Sequence, residues 1–193
     1  MKSFFSLVLS VLFIFTSLNA FAFTASYKQT TIGPGLPKAD IRTVMIKDNK
    51  IRIDMKSPAR EDAVVLIDGN TMYSYVPGRQ LAYRMPSNMA SNLDAMTDYG
   101  RYLKSQNAKV IGSGKSGDYD CDIYEFIDPD TKAYNKVWFW EAKNFPVKFE
   151  MTIMGNVMVT EMTDIEVGIP IDDAEFVLPD YLEVREGEGS KQQ

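Results

Sequence analysis

Few side chains in this 193-residue sequence have the chemistry of an enzyme, and the chain contains no histidine. Without imidazole, the Ser-His-Asp and Cys-His arrangements and the zinc sites that need a histidine ligand are excluded. The single cysteine, Cys121, lies between Asp120 and Asp122, whose negative charges raise the pKa of a thiol and make it a poor nucleophile. We therefore expect Cys121 to be a small buried strand residue. The sequence predicts a protein that is not an enzyme.

Other patterns could bind a phosphate or an ion, but each lacks a required element. The segment 112–116 resembles a phosphate loop, yet the first glycine of that motif would fall at Lys109. Four methionines between positions 151 and 162 offer soft ligands for Cu(I), but strand alternation points Met151 and Met154 to opposite faces. The aspartates around Cys121 do not have the glycine and glutamate spacing of a calcium loop. We predict no metal and no cofactor, and methionines that suit an adaptable apolar pocket.

The first 22 residues have the pattern of a secretory signal. Lys2 precedes an apolar run from Phe4 to Phe15, and the small residues Ala20 and Ala22 form a signal-peptidase site. Cleavage after Ala22 removes Lys2 and changes the formal net charge from −5 to −6. An acidic chain lacks the basic surface that nucleic acids require, and no later stretch has the ~20 apolar residues of a membrane span. We expect an exported protein of the periplasm that neither spans a membrane nor binds nucleic acid.

Alternation of apolar and polar residues dominates the rest of the chain and predicts antiparallel strands. Turn signals at 48–49, 68–70 and 155–156 indicate hairpins, and the segment 88–105 has the 3–4 spacing of a helix. We predict a mainly β (α+β) fold, in which a curved antiparallel sheet of about 10–11 strands forms an incomplete barrel covered by one main helix.

One domain should span residues 23–181, because 171 residues after the signal are enough for a single core. The charged, glycine-containing segment 182–193 is expected to be a flexible polar tail. A curved sheet under a helix encloses an apolar cleft. Such a cleft suits a lipid or an acyl chain better than it suits a polar metabolite.

Several blocks of the sequence resemble the bacterial outer-membrane lipoprotein carrier superfamily, LolA/LolB-like. They are 64–77 (VVLIDGNTMYSYVP), similar to the family's strand with DGxxxWxYxP, then 137–140 (VWFW), 145–148 (FPVK) and 173–179 (DAEFVLP), similar to the final FxxP. The strand-like start after the signal, where the carriers have an amphipathic helix, makes the chain resemble a shortened relative of unknown-function type. The resemblance implies an incomplete β-barrel whose apolar cavity shields lipoprotein acyl chains in the periplasm.

These observations predict a periplasmic carrier or chaperone that holds lipid or lipoprotein acyl chains between sheet and helix without chemistry. The alternative is a non-catalytic envelope interaction or sensor module with a filled core, whose partners would be envelope proteins. The expected cavity contacts are Met45, Tyr73, Tyr75, Tyr83, Met89, Leu93, Met96, Trp138, Trp140, Phe149 and Met151. Periodicity separates two faces of a strand but does not say which of them lines the cavity.

Overall fold

The computed structural model describes residues 23–34, 40–56, 61–88 and 97–187. Its strands are β1 (Thr24–Ile32), β2 (Asp40–Lys47), β3 (Lys50–Lys56), β4 (Ala63–Asp68), β5 (Thr71–Tyr75), β6 (Leu81–Pro86), β7 (Lys109–Ser116), β8 (Tyr119–Ile127), β9 (Tyr134–Trp140), β10 (Phe145–Ile153), β11 (Asn156–Val167) and β12 (Glu183–Glu186). The described helical elements are α1 (Tyr99–Ser105) and two 3-10 turns, Glu141–Lys143 and Asp173–Phe176. The predicted signal and the expected contacts Met89, Leu93 and Met96 lie outside the described residues.

All twelve strands form one sheet in the order β12-β6-β5-β4-β3-β2-β1-β11-β10-β9-β8-β7. The order ends in two free edges, β12 and β7, so the sheet is not closed into a barrel. The mainly β class and the unclosed sheet are confirmed. Residues 183–186 lie in the segment expected to be a polar tail, yet they pair with β6, and this pair is parallel. All four side chains of β12 are exposed, so no apolar face in the sequence marks this strand.

Several hairpins of the sheet have two-residue turns. Asp48-Asn49 joins β2 to β3 as predicted, because Lys47 pairs with Lys50. The turn between β10 and β11 is Met154-Gly155, one residue earlier than the predicted 155–156, because Ile153 pairs with Asn156. Met154 and Gly155 both have positive φ, 50° and 78°, which is the geometry of a type I′ turn.

Cross-strand register divides the side chains of β2–β6 between two faces. On one face, which we call the inner face, Val44 lies opposite Ile53, and Ile53 lies opposite Val65. On the other, the outer face, Arg52 lies opposite Leu66. Directly opposed residues in an antiparallel pair share a face, and side chains alternate between faces along a strand. These registers therefore assign each residue of β2–β6 to the inner or the outer face.

The inner face continues across β1 to the strands that carry α1. Thr31 lies opposite Thr160, and Thr160 lies opposite Phe149. Tyr99 of α1 packs edge-on against Phe149, with ring centroids 5.6 Å apart, and lies 6.1 Å from the ring of Phe139. The helix therefore covers the inner face over β8–β10.

The sheet is strongly curled. The backbone N–H of Ile165 on β11 donates a hydrogen bond of 3.0 Å to the hydroxyl of Tyr119, the first residue of β8. Strands β9 and β10 lie between them, and three strand spacings in a flat sheet would separate them by about 14 Å. A tyrosine side chain does not reach that far, so the sheet must bend to bring these strands together.

The predicted helix over 88–105 is described only from its last part. Asp98 caps α1 by accepting from the Arg101 backbone N–H at 3.2 Å. The Asn144 side-chain amide donates to the same carboxylate at 3.1 Å, and its oxygen accepts from the Gly100 N–H at 2.8 Å. The hydrogen bond from Asn144, followed by that from the Arg101 backbone, holds the pKa of Asp98 below its ordinary value. The cap thereby ties α1 to the loop before β10.

Candidate functional site

The inner face of β2–β6 carries an apolar surface that is only half buried. It is formed by Ile53, Met55, Val65, Met72 and Met85 on four adjacent strands, and we call these residues the trough. Met72 lies opposite Met85, and Ile53 lies opposite Val65, so the five side chains are neighbours on the sheet. Three of them are methionines, whose flexible thioether chains adapt to different shapes.

The trough is closed at one end by packed side chains. Ile46, Ile51 and Ile67 lie opposite one another in one row of the same face, which Met72 continues, and these three isoleucines are buried to 2% exposure or less. They belong to one cluster with Phe145 and Val147 from β10. These three isoleucines lie towards the Asp48-Asn49 turn, beside the trough, and we call them the floor.

A second apolar wall is formed by β10 and α1. Phe149 and Met151 are half-buried inner-face residues of β10, and Met151 lies opposite Met158 on β11. Phe149 packs against the central cluster and against the cluster that holds Tyr99. The wall therefore connects the helix to the floor.

Several exposed hydrophobic side chains lie at the end of the strands opposite the floor. They include Ile32, Ile41, Ile127, Tyr134, Met154 and Val157, and we call these residues the rim. By register, all of them except the turn residue Met154 lie on the outer face. Ile32 ends β1, and Met154 is 97% exposed at the β10–β11 turn. Exposed hydrophobic residues that cluster in this way indicate an interaction surface, whereas single ones do not.

A small polar group lies on the inner face between the trough and the β10 wall. Arg42 of β2 is half buried and lies opposite Gln29 on one side and Met55 on the other. The hydroxyls of Thr31 and Thr160 are 3.1 Å apart, and the Gln29 amide donates to Thr31 at 3.5 Å. The inner face is thus apolar at the floor and in the trough, with a polar group near the rim.

The expected cavity residues are divided between the two faces. Phe149, Met151 and the exposed Tyr83 lie on the inner face. Met45 lies on the outer face, opposite Arg52. Tyr73 and Tyr75 also lie on the outer face, in a cluster with Val64, Leu66, Ala82 and Leu182. The two tyrosines therefore pack under the C-terminal segment and away from the trough.

The two tryptophans have surroundings that differ from those of Phe149. Trp138 lies opposite Lys148, whereas Phe149 lies opposite Val137, so Trp138 faces away from α1. The Nζ atoms of Lys136 and Lys148 each lie 4.8 Å from the centre of the Trp138 ring. The Trp140 ring packs against Tyr119 at 4.8 Å.

Sequence reasoning did not select the trough residues or Arg42. The alternating set Ile51, Ile53 and Met55 was the available signal, because these residues share the face that includes the floor. In β5, period 2 separates Met72 from Tyr73, but it does not identify the face that faces inward. Tyr73 and Tyr75 are larger than Met72 and were therefore expected to line the cavity, but the structure places both tyrosines on the outer face.

Surface cavities of defined volume lie outside the trough. One of about 510 Å³ is lined by Lys115, Asp120, Cys121, Asp122, Trp140 and Glu141, among others, and another of about 470 Å³ lies beside Lys28 and Asp164. Their charged linings do not suit an acyl chain. Burial raises the pKa of the Cys121 thiol, and the neighbouring carboxylates raise it further, so this cysteine is a weak nucleophile.

The described part of the chain shows neither a metal site nor a membrane helix. No group of three or more His, Cys, Asp or Glu residues in it could hold a metal ion. None of its helices has the length and apolar character needed to cross a bilayer.

No family model and no curated protein matches this sequence, whereas several solved structures do. An uncharacterized conserved protein from Thermus thermophilus has a TM-score of 0.61 at 10% identity, over 88% of this chain and 93% of that one. MucB of Pseudomonas aeruginosa, solved with MucA, has a TM-score of 0.48 at 12% identity. The match covers 84% of this chain but only 58% of MucB. A LolA superfamily protein from Nitrosomonas europaea has a TM-score of 0.38 at 14% identity, over 83% and 91% of the two chains. The Thermus protein shares the fold. Identities this low say nothing further.

Proposed function

We propose that this protein is a non-catalytic carrier that binds the apolar chain of a lipid or a lipidated polypeptide in the trough. The observation that supports this proposal is that a buried floor adjoins the half-buried apolar side chains of the trough on the inner face. Apolar surface in contact with water costs about 25 cal/mol per Å². An acyl chain that enters over the rim and lies on the trough removes that contact. The predicted signal over 1–22 favours the periplasm as the compartment.

The energetics suit a guest that is held and later released. Each buried methylene contributes about 0.8 kcal/mol, so a chain with ten methylenes in contact gains roughly 8 kcal/mol before the costs of binding. The methionines Met55, Met72 and Met85 allow the surface to repack around chains of different length. Binding of this kind needs neither a reactive group nor a cofactor.

A second candidate is an envelope interaction or sensor module with a filled interior. The observation in its favour is that the surface cavities of about 510 and 470 Å³ lie outside the trough. A filled interior would leave the rim as a contact surface for an envelope protein. The two candidates differ in whether an alkyl chain fits on the inner face.

Native mass spectrometry of the protein purified gently from the cell envelope tests the carrier function. We expect a population that carries a lipid mass and loses it on denaturation. A fluorescent alkyl probe added to delipidated protein should bind and be displaced by the extracted lipid. Protein that carries no lipid and takes up no probe would be the filled module.

A pair of methionine variants locates the binding surface. Met72→Gln places an amide in the trough with little change of volume, and we expect the Kd for the alkyl probe to rise about tenfold, because a polar group is buried against the chain. Met45→Gln makes the same change on the outer face and should leave the Kd unchanged. Equal effects of both variants would contradict the assignment of the trough.

A further inference from the structure

We infer that the guest of the trough carries an anionic headgroup and that Arg42 binds it. This inference rests on the proposed carrier function and adds the chemical class of the headgroup. Arg42 is a charged side chain on the inner face, beside the apolar trough.

Arg42 differs from the other described arginines in its partners. Each of the other five forms an ion pair: Arg52 with Asp54 and Glu175, Arg79 with Glu61, Arg84 with Glu186, Arg101 with Asp98, and Arg185 with Glu183. Four of these five have side chains more than half exposed, where an ion pair contributes little. Among the side chains that the structure describes, half-buried Arg42 has no carboxylate partner.

Among the described side chains around Arg42, none compensates its charge. Its direct cross-strand neighbours are the neutral amide of Gln29 and the thioether of Met55, and Val44 follows on the same face of β2. A guanidinium offers five N–H donors, and a charge removed from water without a partner is costly. An anion that arrives with the guest would supply the missing acceptor.

The position of Arg42 fits a headgroup at the mouth of the trough. Arg42 directly follows the rim residue Ile41 and precedes Val44 and the floor residue Ile46 on the same face. A headgroup at Arg42 therefore directs its chain over Ile53 and Val65. The hydroxyls of Thr31 and Thr160 lie on the same face and add polar contacts near the rim.

The planar guanidinium recognises carboxylate and phosphate oxygens through two parallel hydrogen bonds. A fatty acid and a lipid phosphate share this chemistry. A neutral alcohol or ester of the same chain length carries no charge and gains less from Arg42, because it cannot form the paired, charge-assisted hydrogen bonds.

Two probes that differ only in the headgroup test the inference. The first is cis-parinaric acid and the second is the corresponding parinaryl alcohol. The fluorescence of both probes rises in an apolar site. We expect the wild type to bind the acid about tenfold more tightly than the alcohol, which is typical of hydrogen bonds to a charged group. Arg42→Gln should remove this difference by weakening the acid alone. Arg84→Gln, which removes a paired arginine on the outer face, should keep it.

Competition separates the two sources of the anion. Lysophosphatidic acid that displaces the acid probe more strongly than a free fatty acid of equal length indicates a phosphate, and the reverse order indicates a carboxylate. Equal binding of both probes to the wild type, or equal weakening of both by Arg42→Gln, would overturn the headgroup inference and leave the carrier proposal standing. A wild type that binds neither probe would overturn the carrier proposal itself.

Discussion

At the scale of single residues, Met154 occupies a backbone conformation that its side chain disfavours. Its φ is 50°, and the other described non-glycine residues with positive φ are Asp48, Asn107, Lys132, Asn144 and Asp164. Asparagine and aspartate tolerate this region, whereas an unbranched apolar side chain has no local hydrogen bond that compensates. Because Met154 is 97% exposed, packing does not compensate either. An apolar residue at this turn is therefore better explained by contact at the rim than by stability.

Replacing Met154 by the residue that this turn prefers should stabilise the fold and impair guest uptake. We expect Met154→Asn to raise the free energy of unfolding by about 0.5–1 kcal/mol, because Asn-Gly is the preferred pair of a type I′ turn. Urea denaturation measures the stability. Transfer of a fluorescent lipid from vesicles should slow at the same time, because the rim loses its most exposed apolar side chain.

Lys132→Asn is the matched control for Met154→Asn, since Lys132 has a φ of 60° but is already polar. It should gain stability without slower uptake. A Met154→Asn protein that is destabilised, or that takes up lipid at the normal rate, would contradict the role of the rim.

The individual residues show which properties the sequence carries. The burial of Cys121 was predictable and is confirmed, because alternation and small size both favour the interior. That Arg42 has no carboxylate partner among the described side chains was not predictable, since the five other described arginines acquire partners through turns and cross-strand neighbours that only the folded chain defines. Whether an arginine forms an ion pair depends on the folded structure, and its position in the sequence does not reveal this.

At the scale of elements, the C-terminal segment 171–186 holds the outer face. Lys47 donates to the Ile171 carbonyl at 2.9 Å, and Asp173 pairs with Lys47 at 3.2 Å and with Lys50 at 3.4 Å. Arg52 donates to the backbone and to the carboxylate of Glu175. Leu178 and Leu182 then pack on the outer-face cluster, and β12 pairs with β6. A segment without a strong apolar period is thus fixed both by the buried side chains of Ile171, Phe176 and Leu182 and by charged groups on β2 and β3.

This attachment should weaken in acid. Hydrogen bonds from Lys47 and Lys50 hold the pKa of Asp173 below its ordinary value, and Arg185 does the same for Glu183. A carboxyl whose folded pKa is depressed contributes stability above its unfolded pKa and loses it as the pH falls through the folded pKa. We expect hydrogen-exchange protection of 183–186 to fall as the pH drops below about 4, while the floor strands stay protected.

Asp173→Asn separates this cause from general acid unfolding. The variant should already show reduced protection of 183–186 at neutral pH and a smaller further change in acid, because its ion pairs with Lys47 and Lys50 are absent. Protection equal to that of the wild type at both pH values would show that β12 is held without Asp173.

At the scale of the whole molecule, the sheet class was predictable but its curvature was not. Alternation along the strands predicted an antiparallel sheet, and short turns predicted that neighbours in sequence would pair. The curl coincides with irregularities in register, between Ser26 and Lys28 on β1 and between Pro146 and Lys148 on β10. Bulges of this kind bend a strand and increase its twist. The position of a bulge depends on two paired strands together, so the alternation pattern of one strand does not predict where the bulge lies.

The curvature raises the question of whether the inner face is open or filled, and one substitution distinguishes the two. Ser74 is a small half-buried residue on the inner face, opposite Val65 on β4 and Tyr83 on β6. In a filled interior, Ser74→Trp would overpack the core and lower the free energy of unfolding by about 1–3 kcal/mol. In an open trough, the indole occupies the space of the guest, so stability is kept or increased while binding of an alkyl probe is lost. Ser113→Trp on the exposed edge strand β7 controls for the added tryptophan and should change neither quantity. Because the carrier predicts retained stability with lost binding, a strongly destabilised Ser74→Trp protein would favour the filled module instead.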